Sequence, residues 1–207
     1  MSTRKGTAVF LSDVLDEAKQ RMAEMQAKDR NTRATSEDAT DVLATTAVLV
    51  NDLKRKRTKD YEFNWEQALS TTGDTGVKLQ YTHCRLTSLL DSNPKGINSQ
   101  DIEEAIEREE LKTLLTHLSE PSAISVLYHM ARFEEIIRDA YVDVEPCIIV
   151  QHLFVLCNDV ASALKALPVQ KAESREIALA RLLLFASARK CLADGMDILG
   201  LTPLNQM

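Results

Sequence analysis

Apolar positions recur every three or four residues along nearly the whole chain, the spacing of one buried helical face. Val14, Leu15, Ala18, Met22 and Met25 predict a helix over about 11–28, opened by Ser12 or Asp13. A short polar stretch from Arg30 to Thr35 interrupts the pattern. Ser36, followed by Glu37 and Asp38, predicts a second start, because acids in a first turn oppose the positive helix end. This helix carries Val42, Leu43, Ala47, Val50 and Leu53. It ends in Lys54, Arg55, Lys56 and Arg57, cations suited to a last turn. Asn64 with Gln67 three residues on predicts the cap of a short helix. Gly73 and Gly76 mark a loop, and a third long helix follows to about Leu90. Its period turns Leu79, His83 and Leu86 inward and leaves Lys78, Tyr81, Thr82 and Arg85 on the other side.

The segment from Asp91 to Gly96 ends that helix. Residues 99–118 predict one or two acidic helices. Pro121 sits at the first position of another, which runs to about Val142. Pro146 and Pro168 bracket an apolar helix, and the last begins near Ala172 and breaks near Gly195–Gly200. No alternating strand of convincing length and no internal repeat is present. The expectation is an all-α helical bundle of about seven or eight helices, with short connections that favour antiparallel neighbours.

Composition supports this. Six Gly and five Pro in 207 residues are too few for a turn-rich sandwich or barrel. No apolar run reaches the roughly 18–20 residues of a membrane span, and the opening Met1–Gly6 lacks the apolar stretch of a signal peptide. Cys84, Cys147, Cys157 and Cys191 form no CxxC pair, so they read as buried thiols of an intracellular protein. Taken alone, the formal charge of −6 argues against a nucleic-acid binder, whose affinity rests on Lys and Arg. That average hides a gradient: residues 1–59 carry a net +3 and residues 99–207 a net −7.

Candidate chemistry is sparse. The cluster from Lys54 to Lys59 holds five cations in six residues, a solvated helix end or a phosphate contact. On the third long helix, Tyr81 suits stacking on an unpaired base while Lys78 and Arg85 hold phosphate. His83 and Cys84 point about 100° apart on a helix, which disfavours a nucleophile–base pair. His117, His129 and His152 have no metal-binding spacing, and Glu103, Glu104, Glu107, Glu109 and Glu110 read as a solvated face. No Gly-rich nucleotide loop occurs.

Longer strings carry a resemblance. Met1-Ser2-Thr3-Arg4-Lys5-Gly6 resembles the signature loop of class I aminoacyl-tRNA synthetases in its arginyl-tRNA synthetase variant. Asp13–Ala18, Asp52-Leu53-Lys54, Tyr61–Trp65, Gly73–Gly76 with Leu79–His83 and Arg85, and Gly195-Met196 with Leu199–Pro203 and Met207 are similar to successive blocks of that family. The blocks keep family order over essentially the whole chain.

The resemblance implies the end of a catalytic region with a helical connection over 1–70, and an α-helical anticodon-binding domain of the DALR type over 71–207. It implies that Ser2, Thr3, Arg4 and Lys5 belong to a loop closing over ATP, with magnesium, in a full-length arginine–tRNA ligase. It places Asp74, Thr75, Gly76, Lys78, Gln80, Tyr81, Thr82, Arg85 and Met207 at the anticodon loop of arginine tRNA. L-arginine and ATP are partners of the full-length enzyme. No cofactor, resident metal, membrane or DNA is expected for this chain alone, which reads as a largely inactive piece. Lys78 stands where an aromatic residue is frequent in the family, and Thr82 and Cys84 where Ala is common. Cytoplasmic and mitochondrial locations both fit. The competing reading is a non-catalytic synthetase-like bundle that binds a protein through its acidic half.

Overall fold

A computed structural model describes residues 9–28, 36–92, 95–107 and 111–207. Among the described residues there are ten α-helices, eight of them seven residues or longer, and no strand. In chain order they are α1 (Leu11–Lys28), α2 (Glu37–Leu53), α3 (Trp65–Ala68), α4 (Gly76–Asp91) and α5 (Ser99–Glu107). Then come α6 (Leu111–Leu115), α7 (Pro121–Ala131), α8 (Phe133–Asp143), α9 (Cys147–Ala166) and α10 (Arg175–Ile198). The expected all-α bundle is therefore observed.

Side chains satisfy amides that helix starts leave open. The Asn64 amide oxygen accepts from the Gln67 N–H at 3.0 Å. Ser36 Oγ accepts from Ala39 N–H, and Ser174 Oγ from Ile177 N–H, both at 3.2 Å. Such caps contribute about 1 kcal/mol each.

Helices α4, α9 and α10 pack on one another at the centre, with α7 and α8 laid against α9. Leu79 and Leu86 of α4 meet a core that includes Leu153, Leu156, Val160, Leu184, Leu192 and Met196, all without solvent exposure except Leu184 at the margin. A smaller cluster joins α1, α2 and the first turn of α4 through Ala18, Met22, Leu43, Ala47 and Val77. Helix α2 gives Val50 to the larger core, so it links the two. Contrary to the expectation that no apolar run is long enough to span a membrane, the segment Cys147–Lys171 is, by length and composition; 56% of its most apolar stretch is buried against the other helices, as in a core helix.

Four local expectations change. The helix expected from 121 to about 142 is two helices, broken at Arg132, whose ψ is −1°. No Gly or Pro announces that break. The cations from Lys54 onward lie past the end of α2 rather than in its last turn, with Lys54 at the C-cap. Gly195 lies inside α10, where a Cβ would stand 2.6 Å from Leu153 Cδ2. Its small size lets α10 approach α9. Thr82 is buried rather than outward, its hydroxyl donating to the Lys78 carbonyl at 2.8 Å.

Candidate nucleic-acid interface

Helix α4 begins on a tight loop. Thr75 is buried and its hydroxyl donates to the Ser70 carbonyl at 2.8 Å. The same oxygen accepts from the Lys78 N–H at 3.4 Å, capping the helix. Gly73 takes φ +82°, a conformation costly for other residues. Gly76 is needed for a different reason: a Cβ there would stand 2.5 Å from the Thr46 carbonyl oxygen. The start of α4 thus rests directly on the backbone of α2.

The inner face of α4 holds the end of the chain. Gln80 has no solvent exposure, and its Nε2 donates to Thr46 Oγ1 at 3.0 Å and to the Thr202 carbonyl at 2.9 Å. Its Oε1 accepts from the Leu204 N–H at 2.9 Å. The Leu204 carbonyl lies 2.7 Å from His83 Nδ1 and accepts from Cys84 Sγ at 3.1 Å. Every polar atom offered by Gln80 therefore meets a partner, as burial requires. This clamp leaves Leu204 and Met207 packed against the α1–α2 cluster. Burial holds His83 below the usual imidazole range and pushes the Cys84 thiol up to about 11. The two side chains share one carbonyl as partner, an arrangement that stabilises packing and activates no nucleophile. All four cysteines are free and buried, and burial raises Cys157 and Cys191 to about 12.

The outer face carries Lys78, Tyr81, Arg85 and Ser88 at alternating steps of three and four, a single stripe along the helix, with Asp74 just ahead of the helix start and bonded to Lys78. Tyr81 is 55% exposed. Lys78 Nζ donates to Asp74 Oδ1 at 2.7 Å and to Asn158 Oδ1 of α9 at 2.8 Å. The Asp74 carbonyl accepts from Lys54 Nζ at 3.1 Å. Burial, reinforced by Arg55, lowers the Lys54 ammonium from its ordinary range. Gln151 Nε2 of α9 donates to the Lys54 carbonyl at 3.1 Å. The outer face of α4, one stripe of α9 and the basic segment after α2 are in this way tied into one surface.

The nine expected anticodon residues separate into groups. Lys78, Tyr81 and Arg85 share the outer stripe, with Asp74 just ahead of it. Thr75, Gly76, Gln80 and Thr82 are buried beneath it. Met207 is half-buried at the tail. Ser2, Thr3, Arg4 and Lys5 lie outside the described residues. Asn158, Gln151 and Thr46 complete the network, and no single-helix pattern marks them because their partners stand on other elements. Among the described residues no group of three or more His, Cys, Asp or Glu side chains is arranged to hold a metal ion.

Known proteins match along the chain. The DALR anticodon binding domain family matches residues 79–207, and the catalytic domain of class I (R) tRNA synthetases matches residues 1–65. The cytoplasmic arginine–tRNA ligase of Saccharomyces cerevisiae is 38% identical over 210 aligned positions, which cover 100% of this chain and 33% of that protein. The mitochondrial arginine–tRNA ligase of the same organism is 33% identical over 100% of this chain and 31% of its own length. The chain thus spans about a third of the length of these curated relatives. The solved arginyl-tRNA synthetase of Thermus thermophilus superposes with a TM-score of 0.79 at 25% identity, covering 97% of this chain and 32% of that one.

Proposed function

From the premise that the chain belongs to the DALR anticodon binding domain family, we propose that it binds the anticodon loop of an arginine tRNA through the outer face of α4. The observation that carries this is the exposed Tyr81 between two cations, Lys78 and Arg85, on a helix whose inner face is wholly engaged. An unpaired base stacks on Tyr81, worth about 1–3 kcal/mol for such platforms. Arg85 and Lys78 attract the flanking phosphates, and Lys78 is aimed by Asp74 and Asn158. Thr75, Gly76 and Gln80 act from below by fixing where the stripe stands. Met207, half-buried against the α1–α2 cluster, is proposed as an apolar platform for the same loop.

The same proposal covers the longer enzyme. Its relatives are named as arginine–tRNA ligases; for the longer enzyme the proposal is ATP-driven, magnesium-assisted joining of arginine to its tRNA, with Arg4 and Lys5 the residues of this chain proposed to face ATP. Cytoplasmic and mitochondrial relatives both occur, and either compartment fits the proposal.

Binding of labelled arginine tRNA to the 207-residue protein tests the reading. Tyr81→Ala and Arg85→Ala are each expected to weaken it about tenfold, with affinity falling as salt rises. Absence of any tRNA affinity at low salt would instead favour the protein-binding alternative.

A further inference from the structure

The turn after α2 presents three cations whose side chains make no hydrogen bond or ion pair among the described residues. Lys59 N–H donates to the Lys56 carbonyl at 2.9 Å, closing a tight turn over 56–59. Lys56, Arg57 and Lys59 are all exposed on it, and among the described residues none of their side chains forms an ion pair. This contrasts with Lys19, Arg21, Lys78, Arg132, Arg175, Arg181 and Lys190, each of which meets a carboxylate. In a chain of net charge −6, three unpaired cations on four residues form a local positive field against the general trend.

The turn is also held in place from outside. Gln151 of α9 grips the Lys54 carbonyl, and Glu145 Oε2 accepts from the Arg57 N–H at 3.1 Å. Glu145 is turned inward by the end of α8, where Val144 adopts φ +53° and Glu145 N–H returns to the Ala140 carbonyl at 3.0 Å. Arg55 stacks on Tyr61 with its guanidinium 4.1 Å from the ring centroid, bracing the same turn. Backbone groups are thus fixed while the three charged ends stay in solvent.

Gln151 and Asn158 lie seven residues apart on α9 and share its exposed side with Val155. Seven residues of helix rise about 10 Å. Gln151 grips Lys54, two residues before the turn, and Asn158 holds Lys78, so the chain enters the turn about 10 Å along α9 from Lys78.

We propose that Lys56, Arg57 and Lys59 form a second RNA contact, a rail for the phosphodiester backbone flanking the bases read at Tyr81. This rests on the tRNA-binding reading above. The cations have no planar partner or pocket beside them, so they contribute attraction without base choice. They offset the repulsion an acidic protein presents to a polyanion.

The test is the salt dependence of tRNA binding by the 207-residue protein carrying Lys56→Ala, Arg57→Ala and Lys59→Ala together. The slope of log affinity against log salt is expected to shrink by about two, at about 0.7–0.9 per lost phosphate contact. Arginine tRNA and a non-cognate tRNA should lose affinity by the same factor, about tenfold or more at low salt. Circular dichroism confirms that the variant folds, as expected for exposed side chains. Unchanged slope and affinity, with wild-type protein binding normally, overturn the rail and leave the α4 reading standing. Loss confined to the cognate tRNA also overturns it, since the residues would then read sequence. Wild-type protein that binds no tRNA removes both.

Discussion

The two sides of α4 handle polar groups in opposite ways. On the inner side Gln80 and His83 are buried and take up the returning tail at 2.7–2.9 Å. On the outer side Tyr81 and Arg85 keep their polar ends in solvent. A buried polar group contributes only when every atom finds a partner, so the inner side tolerates little change. An exposed aromatic ring flanked by cations contributes almost nothing to stability, and that freedom leaves it available for a ligand. Lys78 stands at the boundary: it is half-buried, bonded to Asp74 and Asn158, and still on the outer stripe.

Substitutions sharpen this contrast. The largest loss is expected at Gly76, where a side chain collides with the Thr46 backbone rather than a movable group. Gly76→Val should cost about 3 kcal/mol, read by urea unfolding. A loss under a quarter of that would mean α2 and α4 can separate freely. Next is Gln80→Ala, which leaves the Leu204 N–H and Thr202 carbonyl without their partner. It should cost about 2 kcal/mol and raise protease cleavage of the tail. A tail that stays protected would show that Leu201 and Leu204 hold it without the clamp.

A smaller effect follows from pH. His83 and His152 are both held below the ordinary imidazole range, chiefly by burial. Around His83 stand Arg189, which lowers it further, and Asp197, which opposes the shift. The unfolded chain takes up protons near the ordinary value of about 6.5, while the folded chain resists them until lower pH. Their contribution is therefore complete above about pH 6.5 and is lost as pH falls through the lowered folded values. Thermal unfolding temperature should drop between pH 7 and pH 5, and His83→Asn should make that drop shallower. An unchanged slope in the variant would remove His83 as a contributor.

Much of this was legible in sequence because helix signals are local. Ser36, Asn64 and Pro121 marked starts that the structure keeps, and the period of Leu79, His83 and Leu86 identified the inner side. What period alone misplaced was Thr82, a small residue at the border of the two sides that α9 covers. The break at Arg132 lacked Gly or Pro, so no local residue could reveal it. Gly195 read as a helix end because a glycine breaks helices by default, whereas here contact with Leu153 selects it. The roles of Asn158, Gln151 and Thr46 depend on partners 34 to 97 residues away, beyond any local pattern.

The division between the two sides of α4 is tested most directly by measuring arginine-tRNA affinity and unfolding free energy on the same sample of Tyr81→Ala. The account predicts affinity reduced about tenfold with stability within about 0.5 kcal/mol of the parent. Parent-like affinity with the fold intact would contradict it, because the outer side would then not be the surface that RNA meets.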